Sequence, residues 1–158
     1  MGDRAQILAL DNSEKALRVA SLNSRELQAG VDFIRWDFLE HGLESLGRFD
    51  IIVSNPPYIS KEIAGEDIVH RLKYEPEGAL YPTGHDPDIF YKKFSQLDLA
   101  VFNPEAACYL ELNEFRASEI EAYFQQAGWG PTELRIDLQG LPRMLKASRY
   151  PTISQAAE

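Results

Sequence analysis

The sequence has little that would tie it to an oxidising compartment, a membrane or a polyanion. Its 158 residues include a single cysteine, Cys108, so no internal disulfide can form, and we expect this thiol to be a small buried core residue. No apolar run approaches the ~20 residues of a membrane span, and no signal peptide is expected. Lys and Arg number 16 against 25 Asp and Glu, and this net charge of -9 argues against a phosphate backbone as the main partner. We therefore predict a cytoplasmic protein with no membrane partner and no direct nucleic-acid binding.

Glycine-rich cofactor loops and metal-binding patterns are missing as well. The one Gly-x-Gly stretch, Gly128-Trp129-Gly130, is followed by Pro131 and is predicted to end a helix rather than to bind a ligand. His41, His70 and His85 are widely spaced and lack ligand-like neighbours. We therefore predict no metal site.

The order of apolar runs and helical patterns predicts an α/β fold with one domain over residues 1–150 and a flexible tail over residues 151–158. A chain of this length is sufficient for one domain with a core of its own. The predicted elements, in order, are strand 7–10, helix 14–29, strand 31–36, strand 50–54, a long loop 59–86, helix 88–101, strand 106–112, helix 115–127 and a hairpin over 129–138 and 143–147. Asp86 and Asp88 are predicted to cap the helix that begins there.

The most informative stretch is Ser54-Asn55-Pro56-Pro57-Tyr58, which follows the apolar run Phe49–Val53. The carboxyl end of a strand in an open α/β sheet is where ligands bind. Asn55 and Pro56 each precede a proline, so both are restricted to extended conformations, and neither proline offers an N–H group. The stretch therefore presents rigidly held carbonyls and one side-chain amide, which suit a planar NH2 group.

Four features together resemble the release factor glutamine methyltransferases, the HemK/PrmC family of S-adenosylmethionine enzymes. They are Asp11 followed by Ser13-x-x-Ala16-Leu17 and Asn23; Asp37-Phe38; Asn55-Pro56-Pro57-Tyr58-Ile59; and Glu75-Pro76-x-x-Ala79-Leu80. The resemblance covers nearly the whole chain. It implies a Rossmann-like methyltransferase fold with a mostly parallel sheet, a C-terminal antiparallel hairpin and the first strand missing. The implied cofactor is S-adenosylmethionine, and the implied partner is a peptide chain release factor.

The resemblance also implies roles for residues whose plainer interpretations stay open. Asp11 would bind the ribose hydroxyls, although it could simply cap the following helix. Asp37 would lie near the adenine amino group and Phe38 would pack on the adenine ring; the alternatives are a turn residue and a core aromatic. The Glu75-Pro76 pair could contact substrate or only shape its loop. Arg143 is expected to have a structural role.

The implied chemistry centres on the proline-rich stretch. Asn55, Pro56 and Tyr58 would be catalytic, and with Pro57 they would bind the substrate amide; Asn55 would also border the cofactor. The Asn55 side-chain oxygen and the Pro56 carbonyl would accept the two amide hydrogens of a glutamine in the Gly-Gly-Gln motif of a release factor.

The chain also departs from the family pattern. The strand and glycine-rich loop that hold the methionine part of the cofactor are absent, as is the N-terminal helical domain. We therefore expect two open strand edges and weak cofactor binding. Two alternatives remain: a nucleic-acid amino-methyltransferase of the adenine N6 type, and an inactive truncated fragment of the glutamine enzyme.

Overall fold

A computed structural model describes residues 5–59, 70, 72–82 and 84–149. The chain divides into two compact units, residues 1–45 and residues 46–158. The tail predicted over residues 151–158 lies outside the described residues, as does most of the first half of the predicted long loop.

The first unit is built on two parallel strands joined by a helix. Strand β1 (Ile7–Asp11) pairs with β2 (Val31–Arg35), and helix α1 (Glu14–Glu26) connects them. A short helix, α2 (Phe38–His41), follows β2. Parallel strands need such a crossover because the end of the first strand and the start of the second lie at opposite edges of the sheet. The β-α-β order that the sequence predicts is confirmed.

Helix α1 ends three residues earlier than the sequence predicts. Ser13 caps its first turn by accepting a hydrogen bond from the N–H of Ala16 at 3.3 Å. At the other end Gln28 adopts a left-handed conformation with φ 52°, and the N–H of Ala29 donates back to the Ser24 carbonyl. Gln28, and not Gly30, therefore takes the left-handed position that ends a helix.

The first unit buries few apolar side chains. Leu43 is its one fully buried large apolar residue among those described, and α1 buries none. Leu17 and Ala20 of α1 are half-buried. Ala16 and Leu27 are exposed, and Leu27 lies beyond the end of the helix.

The second unit contains a mixed four-stranded sheet. Its strands are β3 (Phe49–Ser54), β4 (Phe102–Glu111), β5 (Thr132–Ile136) and β6 (Pro142–Arg149), in the order β3-β4-β6-β5. β3 and β4 are parallel, and β6 runs antiparallel to both of its neighbours. Three of the four strands thus run in one direction, and β5 and β6 form the predicted C-terminal hairpin.

The helices of the second unit are short. Those with described bounds are α3 (Glu77–Leu80), α4 (Ile89–Ser95) and α5 (Ala117–Gln126), with 3-10 turns at Leu99–Val101 and Glu114–Arg116. A further 3-10 turn, Glu44–Leu46, lies at the sequence boundary between the two units. Within the described residues, no helix has the length and apolar character needed to cross a membrane.

One face of β4 supplies the core of the second unit, together with α4 and α5. The largest of its fully buried side chains include Tyr91, Val101, Leu110, Ile120, Phe124 and Leu145. Cys108 has no exposed surface, which confirms its predicted place in the core, and burial raises the pKa of its thiol. Trp129 packs edge-on against Phe102 and Phe124 and donates its indole N–H to the Ser95 carbonyl at 2.8 Å.

Two boundaries in this unit differ most from the predictions, and the hairpin strands and α5 differ from them by three residues or fewer. The helix predicted over residues 88–101 ends at Ser95, because Asp98 instead caps a separate 3-10 turn by accepting the N–H of Ala100 at 2.7 Å. Strand β4 begins at Phe102 rather than at residue 106. Its register against β3 shifts near the start, where Glu105 has φ 66°. A bulge of this kind has no simple periodic signal.

Among the described strands, β1, β2, β3 and β5 each have one unpaired edge. Among the residues that the structure describes, β1 pairs only with β2, and β3 pairs only with β4. On β3, Ile51 and Val53 are 61% and 75% exposed. The open edges predicted from the missing strand are present in both units.

Candidate active site

Asp11 is exposed at the carboxyl end of β1. One of its carboxylate oxygens, Oδ1, accepts the N–H of Ser13 at 2.7 Å, while its backbone carbonyl accepts the N–H of Trp36 at 3.0 Å. The second contact joins the end of β1 to the residue just after β2. The ends of the two strands are therefore adjacent, as a ligand site at the carboxyl edge of a parallel pair requires.

Asp37 caps helix α2. Its Oδ1 accepts the N–H groups of Leu39 at 3.0 Å and Glu40 at 3.2 Å, and Phe38 begins the helix as a half-buried side chain. The turn role left open for Asp37 is thus observed. It uses one carboxylate oxygen, and no described residue hydrogen-bonds the other.

An open cavity of ≈ 600 Å³ lies at this end of the first unit. Its lining comprises Asn12, Arg35, Trp36, Asp37, Glu40 and His41. Another cavity, of ≈ 580 Å³, lies at the opposite end of the same strands, beside Ile7 and Val31. Of the residues predicted to bind the cofactor, only Asp37 lines the first cavity, and none lines the second.

The proline-rich stretch directly follows β3, as predicted. Asn55 is exposed, Pro56 is buried, and Pro57 and Tyr58 are half-buried. No described residue forms a hydrogen bond with the Asn55 side chain or with the Pro56 carbonyl. A buried proline therefore lies beside an exposed amide at the end of β3.

Tyr58 is held by Glu111, a contact that sequence reasoning missed. The Tyr58 hydroxyl donates to the Glu111 carboxylate at 3.0 Å, and Glu111 is the last residue of β4. Burial, followed by the hydrogen bond and negative charge of Glu111, raises the pKa of Tyr58, although the positive charge of Arg143 opposes this rise. Tyr58 is therefore protonated at neutral pH.

Arg143 has the structural role that was expected of it. Its guanidinium pairs with Glu114 at 2.6 Å and with Asp137 at 3.3 Å. Asp137 in turn accepts the N–H groups of Gln139 and Leu141, which fixes the turn between β5 and β6. Arg143 thus ties this turn to the segment that follows β4.

The Glu75–Leu80 motif is attached to the Asn55–Ile59 motif by a backbone hydrogen bond. The N–H of Ile59 donates to the Leu80 carbonyl at 3.0 Å. Leu80 ends helix α3 and is buried, whereas Glu75 and Pro76 are exposed. Exposure leaves both interpretations of the Glu75-Pro76 pair open.

Asp88 does not cap α4 with its side chain, which corrects the prediction made for it. Its carboxylate is 2% exposed and pairs with the Arg116 guanidinium, while the Tyr123 hydroxyl donates to the same carboxylate at 3.0 Å. Asp86 does not cap the first turn of the helix either; its Oδ1 accepts the N–H of Asp88, the residue just before α4, at 3.0 Å. A buried carboxylate needs partners of this kind.

Clusters of metal-ligating side chains are absent from the described residues. These residues contain no group of three or more His, Cys, Asp or Glu side chains that could hold an ion. His41 lies instead beside the Trp36 ring and the Glu40 carboxylate.

Comparison with known proteins shows that the fold is that of a methyltransferase. A solved methyltransferase from Pyrococcus furiosus superposes with a TM-score of 0.64 at 17% identity, covering 92% of this chain and 64% of that chain. Residues 1–104 match the family model described as the methyltransferase small domain. The chain belongs to this methyltransferase family, and its Rossmann-like fold is confirmed.

Two release factor glutamine methyltransferases are similar to this chain over most of its length. The chain is 34% identical over 146 residues to the release factor glutamine methyltransferase of Bacteroides thetaiotaomicron, covering 92% of this chain and 52% of that protein. It is 32% identical over 145 residues to the release factor glutamine methyltransferase of Flavobacterium psychrophilum, covering 91% and 50%. The resemblance drawn from the motifs is confirmed, and the chain spans about half the length of these relatives.

Proposed function

We propose that this chain carries the amide-binding and adenosine-binding residues of an enzyme that methylates a glutamine side-chain nitrogen in a peptide chain release factor. The methyl donor would be S-adenosylmethionine, and the acceptor would be the glutamine of the Gly-Gly-Gln motif. A substrate that works on ribosomes would also place the protein in the cytoplasm. The observation that carries the proposal is the exposed Asn55 amide at the end of β3, beside a Pro56 carbonyl to which no described residue donates a hydrogen bond.

The donor set of the first unit fits an adenosine. Asp11 presents an exposed carboxylate that suits paired ribose hydroxyls. Asp37 keeps one carboxylate oxygen clear of its capping bonds, and Phe38 supplies an aromatic ring next to it. Bound there, S-adenosylmethionine would supply an electrophilic methyl group.

The corner at Asn55 and Pro56 fits a primary amide. An amide nitrogen is a weak nucleophile because its lone pair is delocalised into the carbonyl. Two carbonyl acceptors that bind both N–H hydrogens fix the nitrogen in position and stabilise the positive charge that develops on it. Pro57 stiffens the corner, and Tyr58 would flank the plane of the amide. No strong base is needed beforehand, since the nitrogen becomes acidic as it is alkylated.

The glycine-rich loop that would hold the methionine part of the cofactor is not among the 158 residues, and the one Gly-x-Gly stretch ends α5, where Gly128 has φ 81°. We therefore expect weak binding of S-adenosylmethionine by the monomeric chain. Calorimetry that finds micromolar affinity for a monomer of confirmed size would contradict this part of the proposal.

The function is tested by methyl transfer from radiolabelled S-adenosylmethionine under single-turnover conditions with excess protein. The acceptors are a release factor, the same factor with its Gly-Gly-Gln glutamine changed to glutamate, and an adenine-containing DNA duplex. Label only on the unmodified factor supports the proposal. Label on DNA would favour the nucleic-acid alternative, and label on neither would favour the inactive fragment; each of these two results would overturn the proposal for this chain.

A further inference from the structure

Tyr58 and Glu111 are 53 positions apart in the sequence but are joined by one hydrogen bond of 3.0 Å. β3 and β4 are parallel neighbours, with Ser54 opposite Leu110, so the residues that follow both strands come to the same edge of the sheet. Glu111 is half-buried at this edge. Within the described part of the chain, its carboxylate is the one hydrogen-bond acceptor of the Tyr58 hydroxyl.

The backbone of Glu111 is itself fixed from two directions. The Tyr91 hydroxyl donates to the Glu111 carbonyl at 3.0 Å, and Tyr91 has no exposed surface. On the other side, Glu111 lies opposite Met144 in the antiparallel pairing of β4 with β6, and the next N–H, that of Leu112, donates to the Arg143 carbonyl at 2.8 Å. The carboxylate that meets Tyr58 is thus anchored to the buried core.

We propose that Glu111 is a positioning residue that holds the Tyr58 ring beside the amide-binding corner of Asn55 and Pro56. An ionised carboxylate can only accept hydrogen bonds, so the hydroxyl must direct its hydrogen towards Glu111. Hydrogen bonds to a charged acceptor are about twice as strong as neutral ones. The ring is thereby fixed at its far end, while Pro57 restricts the backbone that carries it.

This inference rests on the proposed function for the role of the ring, but the Tyr58–Glu111 pairing can be tested without any activity. Because Glu111 is also a cause of the raised Tyr58 pKa, the hydroxyl should titrate at lower pH once the carboxylate is removed. Carbon NMR of chain labelled at the tyrosine ring carbon that bears oxygen follows this titration, with Y58F to assign the signal. E111Q should shift the Tyr58 titration downward. E133Q, a matched change on an exposed strand residue that pairs with Arg135, should leave it unchanged. A Tyr58 titration unaltered by E111Q would overturn the pairing.

The rate of methyl transfer then tests whether Glu111 positions Tyr58 for the reaction. E111A removes the acceptor and should lower the single-turnover rate about tenfold, whereas E111Q keeps a neutral acceptor and should restore part of that loss. The half-saturating cofactor concentration should stay constant. In a cycle with Y58F, the double variant E111A/Y58F should be no slower than Y58F alone, because the two residues act as one unit. Losses that multiply in the double variant would overturn the inference. If the NMR shift is found but both single variants transfer methyl groups at the normal rate, the fault lies with the role proposed for Tyr58 and not with the pairing.

Discussion

The backbone N–H of Ile59 and the backbone carbonyl of Leu80 form a hydrogen bond of 3.0 Å. It connects the Asn55–Ile59 motif with the motif that ends at Leu80. The bond is made by main-chain atoms at both ends, so it depends on the spacing and path of the chain more than on side-chain identity. Helix α3 is thereby held directly beside the residue that follows Tyr58.

Changing Asn55 should affect methyl transfer without affecting the stability of the fold. Because the side chain is exposed and unbonded to any described residue, N55A should change the free energy of unfolding by less than about 0.5 kcal/mol. Loss of one acceptor for developing charge should lower the methyl-transfer rate about a hundredfold or more. Single-turnover assays and urea unfolding of the same preparation measure the two effects. Near-normal transfer by N55A would show that the amide is not received there.

The buried Asp88–Arg116 pair should dominate the packing of α4 against α5. R116A leaves a carboxylate that is 2% exposed with Tyr123 as its remaining partner, and we expect a loss of about 3 kcal/mol, at the low end for buried pairs because Arg116 is 37% exposed. Glu119 also pairs with Arg116, but at the surface, so E119Q should cost no more than about 0.5 kcal/mol. Urea unfolding is followed by the fluorescence of Trp129 in a W36F background. Equal effects of the two variants would show that the buried pair contributes little.

The open edge of β3 predicts self-association. Ile51 lies on this edge strand and is 61% exposed, so an apolar side chain accompanies unpaired backbone groups. I51K should reduce the sedimentation-average mass at high protein concentration while changing stability by less than about 0.5 kcal/mol. S118K adds the same charge on the exposed surface of α5 and serves as the control. If both lysines reduce association equally, net charge and not the edge is responsible.

Acid should loosen the turn between β5 and β6. Hydrogen bonds from the N–H groups of Leu141 and Gln139, together with Arg143, lower the pKa of Asp137 below its ordinary 3.8. A lowered folded-state pKa contributes stability that is fully present above about 3.8 and is lost as the pH falls through the folded value. D137N should therefore melt below the unaltered protein at neutral pH, and the two melting temperatures should converge towards about pH 2. If the difference in melting temperature persists unchanged in acid, the effect of D137N comes from the shape of the side chain and not from its charge.

Local patterns predicted much of this molecule because they concern residues close in sequence. The strand before Asn55, the hairpin, the buried Cys108 and the helix stop at Gly128 each follow from a short run of residues, and the structure has all of them. The partners of Tyr58 and Asp88 could not be predicted in this way. Each lies more than 25 positions away, and only the pairing of strands and packing of helices brings them together. Asp88 shows the difficulty clearly, since a carboxylate at a helix start is normally read as a cap.

Asp37 caps α2 with a single carboxylate oxygen. Its Oδ1 alone satisfies the two N–H groups at the start of α2. An asparagine oxygen could do the same, so the shape of the helix start does not require a negative charge at this position. The negative charge of Asp37 is therefore not needed for the local structure. A change from Asp37 to Asn would remove this charge and leave the start of α2 unchanged.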